Sequence, residues 1–218
     1  MDRSAAPVSF THRGAIAAVA AAGLVASWIV AAHRPVPGGE LRLERWINAV
    51  PAAVGTALFP IMQLGTFGAP LLVAAGIAAF RRDGLLALAT VAVGWANWQG
   101  AKAIKGVVER GRPIAYLPDI HLREAGATGF GYISGHSAVA AGSAVMVAAT
   151  VPARYRWIPV LAAGLVGAAR MIDGVHLPID VIGGWSFGTL VGLAGLRLVD
   201  LRVPRGRPNI PQADAPTP

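Results

Sequence analysis

The chain has 218 residues and a formal net charge of +8; 55% of its residues are hydrophobic and only 14% are charged. An ordinary soluble domain carries about 25% charged residues, so this composition excludes a disordered chain and disfavours a water-soluble globule. The basic residues stand singly or in pairs between apolar stretches, a distribution that argues against nucleic-acid binding. Because cysteine is absent, disulfides, thiolate metal sites and thiol catalysis are excluded.

Long stretches without charge predict an all-α, polytopic membrane protein. A helix needs about 20 apolar residues to cross the hydrocarbon core, and the charge-free stretches predict about six such helices in one domain over residues 14–200. The many small residues, including 27 glycines, favour close packing of helices in lipid. The spans are expected at residues 14–32, 64–80, 85–106, 136–153, 157–173 and 178–197.

The segments that flank these spans carry separate expectations. The charge-free stretch over 46–80 is too long for one span and splits from Pro60 onward, so an interfacial helix should precede the second span. Residues 1–13 are expected to form a cytoplasmic tail, and the proline-rich residues 201–218 a disordered one. A cleaved signal peptide is the alternative for residues 14–32, although its 19 uncharged residues exceed the usual core of about 7 to 15.

The basic residues favour a cytoplasmic N-terminus and a cytoplasmic C-terminus. Of the 19 Lys and Arg residues, this topology places ten inside and nine outside, which by itself shows no bias. Each short inside loop carries a basic pair, however, whereas several outside residues belong to the candidate site described next. The chain is therefore expected in a bacterial plasma membrane, with its site facing outside.

Three polar clusters lie at span ends on that outer side, at residues 105–113, 131–137 and 170–180. Lys105, Arg112 and Arg170 supply three cations, and the two arginines have planar forks suited to phosphate oxygens. Ser134 and the Gly135 amide precede a helix start, where an anion is favoured. Lys105 and Arg112 would be about 10 Å apart along a continuous helix, so both can reach one phosphate only if they converge from either side or if the helix ends between them. Gly111 and Pro113 favour a break near Arg112.

Two histidines and a carboxylate complete the pattern. His176 and Asp180 are four residues apart, so they share one helical face. The carboxylate can then hold one imidazole nitrogen protonated and leave the other free to attack. His136 comes from another helix and is placed to donate a proton to a leaving group. Together these residues predict a phosphoryl-transfer site.

The order Lys-x6-Arg-Pro, Ser-Gly-His, Arg-x5-His-x3-Asp resembles the type 2 phosphatidic acid phosphatase (PAP2) superfamily over residues 85–197. This resemblance implies a helical core shared with vanadium-dependent haloperoxidases and hydrolysis of a lipid phosphate. It also implies that His176 attacks phosphorus to form a phosphohistidine, that Asp180 orients it, and that His136 protonates the leaving oxygen. The phosphate would be bound by Lys105, Arg112, Ser134, Gly135 and Arg170.

Two positions depart from the pattern of the family. Ile133 stands where Pro usually precedes Ser-Gly-His, and Ala169 stands where Ser usually precedes the arginine. The first change alters the stiffness of the loop, and the second removes one potential hydrogen bond to phosphate. Both bear on rate or specificity more than on the class of reaction.

Other functions remain open from the residues alone. The spacing of His176 and Asp180 also suits metal ligands, but three nearby cations would repel a divalent ion, so neither metal nor cofactor is expected. A transporter or binding protein for an anionic lipid would use the same cations without turnover, and a lipid phosphotransferase would pass the phosphoryl group to another acceptor. Candidate substrates are a polyprenyl diphosphate, slightly favoured, phosphatidylglycerol phosphate and phosphatidic acid. The sequence favours no oligomeric state.

Three further polar features have simpler interpretations. Arg110 and Glu109 are expected to form a pair at the membrane rim, with extra contacts to the phosphate as the alternative. Asp173 is expected either to pair with Arg170 or to be solvated in its loop. The basic and acidic residues of segment 34–45, which include Glu40 and Glu44, predict an amphipathic outer helix that either guides anionic headgroups or simply covers the surface.

Overall fold

The structure, a computed structural model, describes residues 12–124 and 128–202. These residues form eight α-helices and no β-strand, which confirms the all-α prediction. Single turns of 3₁₀ helix lie at residues 63–65, 113–115 and 153–155. The helices are α1 (Arg13–Ala32), α2 (Gly38–Asn48), α3 (Ala52–Met62), α4 (Ala69–Arg81), α5 (Gly84–Val108), α6 (Gly135–Ala148), α7 (Trp157–Ile172) and α8 (Pro178–Arg202).

Two helices are shorter than expected, and proline accounts for both differences, whereas α8 runs to Arg202, past its expected end at residue 197. The second span was expected from residue 64, but a 3₁₀ turn occupies residues 63–65 and α4 begins only at Ala69, with Pro70 in its first turn. The fourth was expected to reach residue 153, whereas α6 ends at Ala148, shortly before Pro152. A proline restricts the preceding residue and lacks the N–H that a continuing helix needs.

Two helices, α1 and α8, are each long and apolar enough to cross a membrane alone, with mean hydropathies of 2.2 and 1.4. The helices α2 and α3 pass the same test only as a pair, and they are bent by 95° at the break between them. By length and composition the described residues therefore contain two or three spans, and six spans remain a prediction. The expected tails lie largely outside the described residues, which begin at residue 12 and end at residue 202.

The helices α6 and α8 form the centre of the bundle, and their backbones nearly touch. A Cβ atom added to Gly188 would lie 2.1 Å from the carbonyl oxygen of Ala138. A Cβ on Gly184, one turn earlier, would lie 2.5 Å from the carbonyl oxygen of Ser134. Small residues permit this approach, as expected for helices that pack within lipid. The contact fixes the start of α6 against the start of α8.

The two ends of the bundle have different characters. At one end Arg13, the first residue of α1, forms an ion pair with Asp200 near the end of α8. At the other end the starts of α6 and α8 meet the C-terminal ends of α5 and α7, and the backbone N–H of Ser134 donates to the carbonyl oxygen of Asp180 at 2.9 Å. The three polar clusters of the sequence therefore converge at the end remote from Arg13.

Candidate active site

The N-terminus of α6 provides the anion-binding part of the site. Ser134 is the N-cap of this helix and is buried; its hydroxyl oxygen lies 3.0 Å from that of Ser137. Gly135 is the first helical residue, so the unpaired N–H groups of the first turn begin there. Such a terminus favours a bound anion through its N–H groups and its dipole, as the sequence predicted for this position.

Lys105 and Arg112 reach the site from either side of a helix end. The helix α5 ends at Val108, and Glu109 takes a left-handed conformation with φ 49°, which confirms the expected break. The Lys105 ammonium donates to the carbonyl oxygens of Phe130 and Gly131, both at 2.8 Å. The Arg112 guanidinium donates at 3.0 and 2.9 Å to two carbonyl oxygens, those of Thr128 and Val175.

The third cation, Arg170, is buried in the last turn of α7 and has a carboxylate partner. Its guanidinium donates to both carboxylate oxygens of Glu124, one of them at 3.3 Å. Burial opposes the charge of Glu124, but the hydrogen bond and positive charge of Arg170 prevail, and the pKa of Glu124 is lowered. Glu124 thus takes the place considered for Asp173, which is half-buried beside Gly55. No pattern in the sequence singled out Glu124.

His176 and Asp180 lie together at the start of α8, and both are buried. One carboxylate oxygen, Oδ2, accepts the backbone N–H of Leu177 at 3.0 Å and lies 3.5 Å from the Nδ1 atom of His176. This separation is longer than a normal hydrogen bond, as is common for catalytic pairs before substrate binds. Because Nδ1 faces the carboxylate, Nε2 is the ring nitrogen that this pair leaves free.

The environment of His176 favours neutral imidazole. Burial, followed by the positive charges of Lys105, Arg170 and Arg112, lowers the pKa of His176 well below its usual value of 6.5. A group with a lowered pKa of this kind loses its proton earlier as pH rises, so the neutral and nucleophilic form is already dominant at pH 6.5.

We therefore expect the imidazole of His176 to be unprotonated at pH 6.5, where an ordinary histidine is half protonated. The measurement is the ¹⁵N spectrum of histidine-labelled protein in detergent, with the His176 signals assigned by their loss in His176→Asn. Signals of imidazolium at that pH would contradict the expectation.

His136 is the second residue of α6 and borders a cleft. The backbone of the 3₁₀ turn at 63–65 packs against it, since a Cβ on Gly65 would lie 2.7 Å from the His136 carbonyl oxygen. Its ring lies 6.3 Å from that of Trp98, centroid to centroid, in an edge-on arrangement. The cleft has a volume of about 840 Å³ and is lined by both polar and apolar side chains, among them Thr56, Phe59, Gln63, Glu124 and Asp173.

The structure corrects the expectation for Arg110. It was expected at the membrane rim with Glu109, yet Arg110 is fully buried, while Glu109 is exposed. The guanidinium donates from Nη1 to Asp180 at 2.9 Å and to Glu40 at 3.1 Å. The physical reason is that α5 ends at Val108 with Glu109 in a left-handed conformation, so Arg110 does not continue the exposed face of the helix and its side chain lies inside the bundle.

The expectation for segment 34–45 holds only for its basic residues. Arg42 and Arg45 are exposed on α2, as an amphipathic surface helix requires. Glu40 and Glu44 are buried and face the site instead. The available signal was their spacing, because Glu40, Glu44 and Asn48 recur every four residues and so share one helical face.

Three cations, two histidines and a carboxylate thus meet at a helix N-terminus within a membrane-type helical bundle, an arrangement suited to a phosphate group and to acid–base and nucleophilic chemistry. Residues 83–204 match the PAP2 superfamily, and the chain belongs to that superfamily. This membership confirms the resemblance noted over residues 85–197.

Known relatives agree with this membership. The chain is 33% identical over 95 residues to an undecaprenyl-diphosphatase of Sulfolobus acidocaldarius. That alignment covers 43% of this chain and 46% of the relative, so it spans just under half of the relative's length.

Two solved structures share the fold. A transmembrane PAP2-type phosphatidylglycerolphosphate phosphatase of Bacillus subtilis superposes with a TM-score of 0.69 at 23% identity, over 86% of this chain and 98% of that one. LpxE of Aquifex aeolicus superposes with a TM-score of 0.63 at 25% identity, over 72% of this chain and 94% of that one. The bundle described above is therefore the PAP2 fold, and the chain is a membrane protein.

Proposed function

We propose that the protein is a metal-independent lipid phosphatase that removes the terminal phosphate of a lipid phosphate or polyprenyl diphosphate through a phosphohistidine. The observation that carries the proposal is the buried His176–Asp180 pair beside His136, with three cations around them. Binding of an anion would require the cations alone. A paired nucleophile and a separate proton donor are the additional groups that turnover requires.

In the first step, Nε2 of His176 forms a bond to phosphorus while the bond from phosphorus to the leaving oxygen breaks. His136, whose protonated form is favoured once the anionic phosphate is bound beside it, gives its proton to that oxygen, so the lipid leaves as a neutral hydroxyl or, from a diphosphate, as a protonated phosphate. Asp180 stabilises the proton on Nδ1 as positive charge develops on the ring. Lys105, Arg112 and Arg170 stabilise the charge on the three other phosphoryl oxygens.

In the second step, water attacks the phosphohistidine. His136, now neutral, takes a proton from the water as the new P–O bond forms and the bond to Nε2 breaks. Inorganic phosphate leaves, and His176 returns to its neutral state. No step needs an added metal, because the positive charge that a metal would supply comes from the three cations.

A membrane-anchored substrate and an extracytoplasmic site have separate support. The cleft beside His136 lies on the leaving-group side and has apolar walls such as Phe59, which suits a lipid-linked leaving group. The undecaprenyl-diphosphatase relative favours a polyprenyl diphosphate. The basic pairs next to α5 and α7, at Arg81–Arg82 and at Arg154 and Arg156, flank the helix ends remote from the site, so the positive-inside rule supports a site that faces outside.

Purified protein is expected to release phosphate from lipid phosphates in the presence of EDTA, and vanadate is expected to inhibit that release. The measurement is phosphate release from a panel of an undecaprenyl diphosphate, phosphatidylglycerol phosphate and phosphatidic acid in mixed micelles, with His176→Ala as the blank. Binding of labelled lipid without released phosphate would instead favour a binding protein. Transfer of label to an added lipid or sugar acceptor, with no inorganic phosphate, would favour a phosphotransferase.

A further inference from the structure

We propose that Arg110 and Glu40 are positioning residues for Asp180, so that α2, which lies outside the three motifs, belongs to the catalytic machinery. The inference rests on the proposed function, because it concerns the same reaction. Arg110 comes from the turn after α5, Glu40 from α2 and Asp180 from α8. The buried guanidinium of Arg110 therefore connects α2 and the turn after α5 to Asp180, the residue proposed to orient the nucleophile.

The two carboxylate oxygens of Asp180 have different partners. Oδ1 accepts from Nη1 of Arg110 at 2.9 Å. Oδ2 accepts the backbone N–H of Leu177 and faces Nδ1 of His176. With both oxygens engaged, the carboxylate cannot rotate away from His176 without losing its hydrogen bond from Arg110. Arg110 thus decides which oxygen faces the nucleophile.

Glu40 in turn fixes Arg110. Its carboxylate oxygens accept from both terminal nitrogens of the guanidinium, and Oε1 also accepts the backbone N–H of Ile179 at 3.1 Å. Two planar groups that meet in this way have a defined relative orientation. Since Ile179 directly precedes Asp180, Glu40 holds both the guanidinium and the start of α8. Through Glu40, α2 therefore holds Arg110 and the start of α8 in position for the His176–Asp180 pair.

The charge balance explains why a guanidinium is needed. Glu40, Glu44 and Asp180 are all buried at this end of the bundle. Among the described residues, Glu44 has no hydrogen-bond partner for either carboxylate oxygen. Arg110 is the residue whose side chain contacts both Glu40 and Asp180. Without its charge, two buried carboxylates would face one another unpaired, which is strongly unfavourable.

Arg110 has no assigned contact with the phosphate, so its loss is expected to change turnover and not binding. Arg110→Met should lower kcat by about 10- to 100-fold, the range seen when a hydrogen-bond partner that orients a metal-binding side chain is removed from a metalloenzyme. KM for the lipid and the inhibition constant of inorganic phosphate should stay within about twofold. Arg110→Lys, which keeps the charge and one donor, should recover part of the lost kcat.

The decisive comparison is a double-mutant cycle with Asp180→Asn. If Arg110 acts through Asp180, then Arg110→Met should cause little further loss in the Asp180→Asn background. If Arg110 merely supports the fold, the fold-losses in kcat caused by Arg110→Met and by Asp180→Asn should multiply in the double variant. Glu40→Gln keeps the shape of the side chain and serves as the second variant should Arg110→Met fail to fold. It should lower kcat with KM unchanged.

The matched control is Arg45→Met. Arg45 lies on the same helix as Glu40 and pairs with Asp119 at 3.2 Å, but both side chains are exposed. Breaking an exposed pair should leave kcat within about twofold. Multiplying losses, or a raised KM with kcat retained, would overturn the positioning role. Full activity in Asp180→Asn would instead overturn the proposed function itself, so the two failures are distinguishable.

Discussion

His176→Ala is expected to reduce phosphate release by about 10⁵-fold, the scale seen when a catalytic nucleophile is removed from an enzyme of another class. The reason is that Nε2 of His176 is the atom proposed to bond to phosphorus. The three cations remain in this variant, so lipid phosphate should still bind. The His176→Ala variant should therefore bind lipid phosphate without hydrolysing it.

The measurement is single-turnover phosphate release from a radiolabelled lipid phosphate, together with acid-labile label on the denatured protein. Wild-type protein quenched during turnover should carry that label, and His176→Ala should carry none. His121→Ala is the matched control, since this histidine is exposed in the loop before α6. Full activity of the His176→Ala variant, purified in detergent, would contradict the mechanism.

Gly188→Ala is expected to destabilise the bundle by about 3 kcal/mol relative to Gly164→Ala. Both substitutions gain the same helix propensity, because both glycines lie within helices. A Cβ on Gly188 meets the backbone of Ala138 at 2.1 Å, whereas a Cβ on Gly164 meets nothing within 4 Å. A backbone atom cannot turn aside as a side chain can, so α6 and α8 must move apart.

The comparison is made by unfolding the two variants in increasing dodecyl sulfate and following helix content and activity. Separation of α6 from α8 moves His136 away from His176, so activity of Gly188→Ala should fall before helix content does. Equal unfolding midpoints and equal activities for the two variants would show that the helices are not held at the distance described.

Much of the site could be predicted from sequence, because its motifs are local. The spacing of His176 and Asp180 predicted that the two side chains would lie together, and they do, although His176 stands in the bend before α8 and not within the helix. Gly111 and Pro113 predicted that α5 would end before Arg112, and the helix does end at Val108. The placement of Ser134 before a helix start follows from its preference for the N-cap position.

The bounds of α4 and α6 were predicted less well. Hydropathy alone extended the fourth span to residue 153 and began the second at residue 64. The helices are shorter because Pro152 and Pro70 set where hydrogen bonding can continue. Hydropathy indicates which residues avoid water, whereas the end of a helix depends on where backbone N–H donors continue. The end of an apolar stretch and the end of a helix therefore need not coincide.

By itself the sequence determined the class of fold, the three motifs and the residues proposed to carry the chemistry, since each depends on spacing within one helix or turn. Only the tertiary structure decided the partners of the buried charges. Glu40 and Ile179 are 139 residues apart, and no local period joins them. Burial of Arg110 is favourable only with Glu40 and Asp180 both in place, and that condition is met only when α2, α5 and α8 have assembled.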